Sequence, residues 1–186
     1  GRDVEQVEAV PGLGAVPGVS LRFLNQGQFH PLKYLNGLVR AIERQGGQVV
    51  TGRHVESVEG GPSCQVKIQG DDSRPIQAGA VAVATNSPIH LRVAIHTKQA
   101  PYLTYALGLR VPRGTVPRVL VWDTLDPYHY VRTQPLGHGD DLLIVGGEDH
   151  KTGHEANAGE RYERLEAWTR ARYPQAGEVA YRWCGQ

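Results

Sequence analysis

Apolar residues between positions 31 and 46 recur at the spacing of one side of a helix. This apolar side consists of Leu32, Leu35, Leu38, Val39 and Ile42. Pro31 suits the first helical position, where the missing N–H of proline costs no hydrogen bond. Gly46-Gly47 suits the helix end, because glycine readily adopts the left-handed conformation found there. The pattern therefore predicts an amphipathic helix from Pro31 to about Gly46.

After this helix the pattern changes to short apolar runs separated by glycine-containing turns. Three of these runs predict strands: Val49-Val50, His54–Val58 and Gln65–Ile68. Ala80–Ala84 contains only Ala and Val, which predicts a strand buried on both faces. Residues 1–28 predict an irregular lead-in with one short strand at Ser20–Leu24.

The second half of the chain has the pattern of an antiparallel meander. Four strands are predicted at short intervals: Tyr102–Val111, Arg118–Trp122, Tyr128–Arg132 and Leu142–Gly146. A second helix is predicted over Ala158–Tyr173, with Tyr162, Leu165 and Trp168 on its inner side. A final strand is predicted at Val179–Trp183.

Composition narrows the classes of partner and compartment. The 186 residues carry 20 basic and 19 acidic side chains, a net charge of +1, which gives no electrostatic basis for binding nucleic acid or a membrane surface. No apolar run approaches the length of a membrane span. Cys64 and Cys184 lie far apart without a metal-binding spacing, so we expect a reducing compartment and a cytoplasmic protein.

Five segments in a fixed order resemble a known family. They are FHPLKYLNGLVRAIERQGG, VVTGRHVESVEG, VAVATNSPI, LIVGGEDHKTG and YRWCGQ. Together they make the chain similar to FAD-dependent oxidoreductases of the D-amino-acid oxidase and glycine oxidase superfamily. The likeness is greatest to bacterial members that resemble sarcosine or glycine oxidases and often carry a Rieske iron–sulfur domain after the flavoprotein.

The resemblance implies an α+β fold in two parts. Residues 1–98 would be an incomplete Rossmann-like segment of the FAD domain, an α/β remnant, and residues 99–186 an antiparallel-sheet substrate lobe with a covering helix. The Gly-x-Gly-x-x-Gly turn of the family is missing, because the third glycine would fall on Pro17 of the Gly12–Gly18 segment. We therefore expect the central part of a longer flavoprotein, with FAD bound only by the full-length protein and the remaining polypeptide as its partner.

Six residues are candidate FAD contacts on this resemblance. The backbone of Val55 and Glu56 would pair with adenine. The small residues Ala84, Thr85, Asn86 and Ser87 would lie near the adenylate and pyrophosphate, since ligands of open α/β sheets bind beyond the carboxyl ends of strands. The alternative for both groups is an ordinary strand or turn.

Three residues of the predicted sheet are candidate substrate contacts. Alternation places Tyr128, Tyr130 and Arg132 on one side of their strand, and His129 and Val131 on the other. Tyrosine hydroxyls and a guanidinium group suit a substrate that bears a carboxylate. A rim of amphipathic residues with a structural ion pair is the alternative.

No metal site and no catalytic acid or base is predicted. Glu148, Asp149, His150 and His154 cluster in sequence, but Thr152-Gly153 interrupts any helix that would align the two imidazoles. A solvated turn or an entrance loop near the flavin are the other interpretations of this segment.

The resemblance implies oxidation of the C–N bond of a small amine or amino acid, with hydride passing to the flavin. The chain alone would be colourless and inactive, and an uncovered apolar face would favour its self-association. Two other functions stay open: a non-catalytic truncated module or subunit that binds a partner, and a flavin-dependent hydroxylase.

Overall fold

The fold is α+β, and every sheet in the described part of this computed structural model is antiparallel. The structure describes residues 3–10, 19–70, 74–85, 100–153 and 157–185. Its elements are β1 (Val4–Val7), β2 (Ser20–Phe23), α1 (Pro31–Arg44), β3 (Val55–Glu59), β4 (Cys64–Ile68), β5 (Ile76–Ala78), β6 (Tyr102–Pro112), β7 (Val121–Trp122), β8 (His129–Gly137), β9 (Asp140–Lys151), α2 (Ala158–Arg172) and β10 (Val179–Gly185). Neither helix has the length and apolar character of a membrane span.

The chain divides into two compact units. One contains Gly1–Gln28 together with Ala100–Gln186, and the other contains Phe29–Gln99. The predicted division after residue 98 lies beside the boundary at Gln99, but the first 28 residues group with the second half of the chain. The assignment of the parts to cofactor and substrate stays a prediction.

Helix α1 of the unit 29–99 confirms the prediction from the apolar spacing. His30 caps its start by accepting a hydrogen bond from the Lys33 N–H at 3.4 Å, and Gly46 adopts a positive φ of 82° after its last turn. No residue of α1 is buried, and Leu32 is 70% exposed. The helix is thus amphipathic with an uncovered apolar side.

Strands β3, β4 and β5 form a three-stranded antiparallel sheet. β3 and β4 confirm two predicted strands, whereas the three-residue β5 was not predicted because so short a run carries little pattern. Val49-Val50 does not form a strand, and both residues are exposed.

The prediction of a buried strand at Ala80–Ala84 is wrong. None of these residues is buried or in a strand, and Val83 is 47% exposed. A strand buried on both faces needs hydrogen-bonded neighbours and covering layers, and none of the other strands in the described residues pairs with this segment. The apolar composition of Ala80–Ala84 does not provide the neighbouring strands and covering layers that a buried strand needs.

The other unit contains a five-stranded sheet with the order β10-β6-β9-β8-β7. It confirms the predicted meander, although β8 and β9 extend further than expected and only Val121–Trp122 pairs from the predicted strand at 118–122. A β1–β2 hairpin pairs Val4 with Phe23. Its second strand was predicted and its first was not.

Helix α2 covers one side of this sheet. Leu165 and Thr169 are completely buried there, and Tyr162 and Trp168 pack at the margin. The core consists mainly of branched side chains from the three central strands: Leu107, Leu109, Val111, Val131, Leu143 and Val145. We call the opposite side of the sheet the open face; it carries Trp122, Tyr130, Arg132, Tyr181 and Trp183.

Candidate substrate face

One cross-strand row of the open face has aromatic residues at both edges and small residues at its centre. Trp122 pairs with Tyr130, Tyr130 with Gly146, Gly146 with Ala106, and Ala106 with Trp183. The two tryptophans are 61% and 42% exposed. The Tyr130 ring lies so close over Gly146 that a Cβ added there would be 2.1 Å from its Cζ. This row offers aromatic surface for a ligand to pack on.

The structure brings together the three predicted substrate residues. Tyr130 and Arg132 project from the same side of β8 as predicted, and the rings of Tyr128 and Tyr130 are 6.3 Å apart. Burial raises the pKa of Tyr130, the charges of Tyr128 and Asp149 raise it further, and the Arg132 cation lowers it. The hydroxyl and the guanidinium group therefore share one electrostatic environment. Their role as substrate contacts stays a prediction.

Asp149 belongs to the same cluster and was not predicted as a binding residue. Burial first and then the Asp149 carboxylate, which accepts a hydrogen bond from the Tyr128 hydroxyl, raise the pKa of Tyr128. The signal in the sequence was Gly146-Gly147 inside a strand, since glycines within strands often mark bulges. A bulge changes which side chains face which side of a sheet.

A buried ionic network lies on the α2 side of the same strands. The Asp123 carboxylate accepts a hydrogen bond from His129 Nδ1 at 2.8 Å. The His129 ring stacks on Trp168 with centroids 4.3 Å apart. Glu148 accepts a hydrogen bond from Arg164 Nε at 2.8 Å and lies 3.4 Å from Arg161 Nη1. His129 Nε2 is 3.5 Å from Glu148 Oε1, within ion-pair distance but outside hydrogen-bond geometry. The network ties α2 to strands β8 and β9.

The family model described as DAO: FAD dependent oxidoreductase matches residues 2–186. This chain belongs to the FAD-dependent oxidoreductases. None of the curated proteins compared with the sequence matches it. FAD is accordingly the cofactor of the family, and the match extends over both compact units of this oxidoreductase.

Four of the six predicted FAD contacts lie in the described part of the oxidoreductase. Val55 begins the β3 strand, and the Glu56 carboxylate pairs with Lys67 Nζ of the neighbouring strand at 3.1 Å. Ala84 and Thr85 are exposed in a segment without strand structure, and Asn86 and Ser87 lie outside the described residues. The role of these residues as FAD contacts therefore stays a prediction, and no chemical step is assigned to them.

Within the described residues of the oxidoreductase, no group of three or more acidic, histidine or cysteine side chains could hold a metal ion. Glu148 binds arginines of α2, whereas Asp149 interacts with Tyr128 and Tyr130 on the open face. These neighbouring carboxylates point to opposite sides of the sheet. His154, the fourth residue of the sequence cluster, is outside the described residues.

Proposed function

We propose that this chain supplies the substrate-binding sheet, and part of the FAD domain, of an enzyme that oxidises the C–N bond of a small amine or amino acid. The family match supports an FAD-dependent oxidoreductase. The finer assignment rests on one observation, the cluster of Tyr128, Tyr130 and Arg132 on the open face.

Arg132 and Tyr130 of the cluster have distinct parts in this proposal. Arg132 binds the substrate carboxylate through its planar guanidinium fork, which matches carboxylate geometry. Tyr130 contributes a hydroxyl beside that cation and a ring that covers Gly146. The aromatic row packs against the substrate and excludes water, so that the substrate is held in one orientation. FAD supplies the oxidising chemistry when bound.

The exposed apolar side of α1 supports a further part of the proposal. Leu32, Leu35, Leu38 and Ile42 are between 42% and 70% exposed on one helix. Contiguous apolar surface of this kind marks a contact with other polypeptide. We propose that further polypeptide covers α1 and completes the FAD domain, and that residues 1–186 alone are colourless and inactive. Tightly bound yellow flavin in the purified 186-residue chain would contradict this.

The test of the function is a substrate screen on the flavin-loaded enzyme, that is, the full-length protein with FAD bound. Peroxide released from glycine, sarcosine or D-amino acids supports amine oxidation, whereas consumption of NAD(P)H without amine oxidation indicates a hydroxylase. Absence of both supports a non-catalytic module.

Two arginine variants test whether Arg132 binds the substrate carboxylate. Arg132→Lys is expected to raise KM for an amino-acid substrate about tenfold or more, because lysine lacks the bidentate fork. Arg110→Lys is the matched control, since Arg110 lies on β6 of the same sheet and pairs with Asp140 and Glu178. Equal changes of KM in the two variants would contradict the assignment of Arg132 to the substrate carboxylate.

A cytoplasmic location is part of the same proposal. Cys64 and Cys184 are not joined in a disulfide, which agrees with a reducing compartment.

A further inference from the structure

A β-bulge interrupts the pairing of β6 with β9 beside the substrate cluster. Leu103 pairs with His150 and Tyr105 with Gly147, so Thr104 alone faces both Glu148 and Asp149. Glu148 has a positive φ of 56°. A Cβ added to Gly147 would lie 2.3 Å from the Tyr128 carbonyl oxygen. Glycine at position 147 is therefore required for the close approach of β9 to the Tyr128 backbone, which leads into β8.

The bulge reverses the sides on which the following residues lie. In an uninterrupted strand Glu148 would share the open face with Gly146, and Asp149 would face α2. Instead Glu148 is bound to Arg161 and Arg164 of α2, and Asp149 interacts with Tyr128 and Tyr130. The extra residue therefore places the Asp149 carboxylate, instead of the Glu148 carboxylate, beside Tyr128 and Tyr130 on the open face.

Asp149 is incompletely satisfied in that position. Its carboxylate accepts a hydrogen bond from the Tyr128 hydroxyl. Its Oδ1 atom is shielded from solvent and has no hydrogen-bond partner among the described residues. A shielded carboxylate oxygen without a partner costs free energy, which a bound cation or hydrogen-bond donor would recover.

Two opposite charges act on Tyr130. The Asp149 carboxylate raises the pKa of Tyr130 after the larger effect of burial, and the Arg132 cation lowers it. One ring is thus within the field of an anion and of a cation on the same open face. A ligand that carries an amine and a carboxylate matches this pair of charges.

We propose that Asp149 is a specificity-determining residue that binds the positively charged amine of the substrate, and that Glu148 is the positioning residue that holds the bulge. This inference rests on the proposed function, because it concerns the same substrate face. Arg132 binds the carboxylate end of the ligand and Asp149 the amine end, with the Tyr128 hydroxyl as the second partner of the Asp149 carboxylate.

The experiment compares the binding of glycine and acetate to the flavin-loaded enzyme, since acetate lacks only the amine. Affinity is measured by calorimetry, independently of turnover. Asp149→Asn, which keeps the shape of the side chain, is expected to weaken glycine binding about tenfold or more and to change acetate binding less than about twofold. Asp140→Asn, at the opposite end of β9, is the matched control and is expected to change neither.

Two further variants separate binding from positioning. Tyr128→Phe removes the donor to Asp149 and leaves the carboxylate in place, so the loss of glycine affinity is expected to be smaller than in Asp149→Asn. Glu148→Gln weakens the contacts with Arg161 and Arg164 and is expected to lower glycine affinity with little change for acetate. If Asp149 only oriented Tyr128, Asp149→Asn and Tyr128→Phe would weaken both ligands alike, and the inference would be wrong.

The failure of the inference differs from the failure of the proposed function. If Arg132→Lys weakens acetate binding but Asp149→Asn leaves the preference for glycine unchanged, the function stands and the role of Asp149 is excluded. If the wild-type enzyme binds neither ligand, or Arg132→Lys has no effect, both proposals fail.

Discussion

Gly146 and Tyr130 show how one missing side chain shapes the open face. The Tyr130 ring occupies the space that a Cβ at position 146 would need. Because β8 and β9 pair Tyr130 directly with Gly146, the ring cannot avoid that space without a change of rotamer. The orientation of a candidate substrate residue thus depends on a glycine in the neighbouring strand.

Gly146→Ala is expected to displace the Tyr130 ring and to weaken binding of an amino-acid ligand about threefold to tenfold. The physical reason is the 2.1 Å approach of the added Cβ to Tyr130 Cζ, which no relaxed contact allows. Calorimetric titration of the flavin-loaded enzyme measures the change. Gly37→Ala is the control, because its added Cβ meets no atom within 4 Å. Unchanged affinity in Gly146→Ala would place the ligand away from Tyr130.

Tyr173 gives a prediction for alkaline pH. Burial raises the pKa of Tyr173 to about 12 from its usual 10.0, against a smaller lowering by Arg172. The folded state therefore keeps this proton more tightly than the unfolded state, and stability is complete below pH 10 and is lost as the pH rises towards 12. The loss attributable to this group is at most about 3 kcal/mol.

The measurement is urea denaturation of the chain just below pH 10 and at about pH 11. Tyr173→Phe is expected to reduce the drop in unfolding free energy between these pH values, whereas Tyr34→Phe, in the exposed part of α1, is expected to leave it unchanged. An equal drop in wild type and Tyr173→Phe would contradict the assignment to this hydroxyl.

At the scale of elements, α2 packs on the sheet through apolar side chains and through ion pairs. Leu165 lies in the core with no exposed surface, while Arg161 and Arg164 bind Glu148. His129 stacks on Trp168 of the helix. The helix therefore packs against the core through Leu165, and it stabilises the bulge that orients Asp149 through its contacts with Glu148.

Leu165→Ala is expected to lower the free energy of unfolding by about 2–5 kcal/mol, because it leaves a cavity between α2 and the sheet. The midpoint of urea denaturation, followed by circular dichroism, measures this loss. Glu163→Ala, at an exposed position on the same helix, should change stability by about 0.5 kcal/mol or less. A similar small effect of Leu165→Ala would mean that α2 does not pack as described.

The elements that were predicted correctly are those whose structure is indicated by a pattern within their own residues. Both helices show apolar residues at helical spacing with capping residues at their ends, and the meander shows alternation between turn residues. The Ala80–Ala84 segment was predicted wrongly because burial on both faces depends on neighbouring strands, which its own residues do not encode.

The candidate site was predictable only in part, for a related reason. Alternation along one strand placed Tyr128, Tyr130 and Arg132 together. Asp149 requires knowledge of the bulge, which depends on the pairing of β6 with β9 across 40 or more positions of sequence. The ion pairs of Glu148 with Arg161 and Arg164 of α2 are likewise tertiary contacts, which no pattern in the neighbouring sequence predicts.

At the scale of the whole molecule, the two compact units differ in the covering of their apolar surfaces. The sheet of one unit has α2 over its core side, whereas α1 of the other has no buried residue. Exposed apolar surface of this kind favours association.

We expect the 186-residue chain to self-associate and to bind a hydrophobic dye. Leu35→Glu is expected to reduce both, because it places a charge in the apolar side of α1, where Leu35 is 52% exposed. Sedimentation velocity and dye fluorescence provide the two readouts. Lys33→Glu is the control for the added negative charge. A wild-type chain that is monomeric and binds little dye would exclude this role for α1.

Every strand of the five-stranded sheet and the helix above it come from a single continuous run, Tyr102 to Gly185. The hydrogen bonds between the strands of this sheet are consequently formed without any residue from positions 29–99. A shortened gene starting near Ala100 would encode a miniature scaffold of fewer than half the residues. On it, libraries of aromatic and charged side chains could be selected for new small-molecule ligands, with residues 1–99 left out.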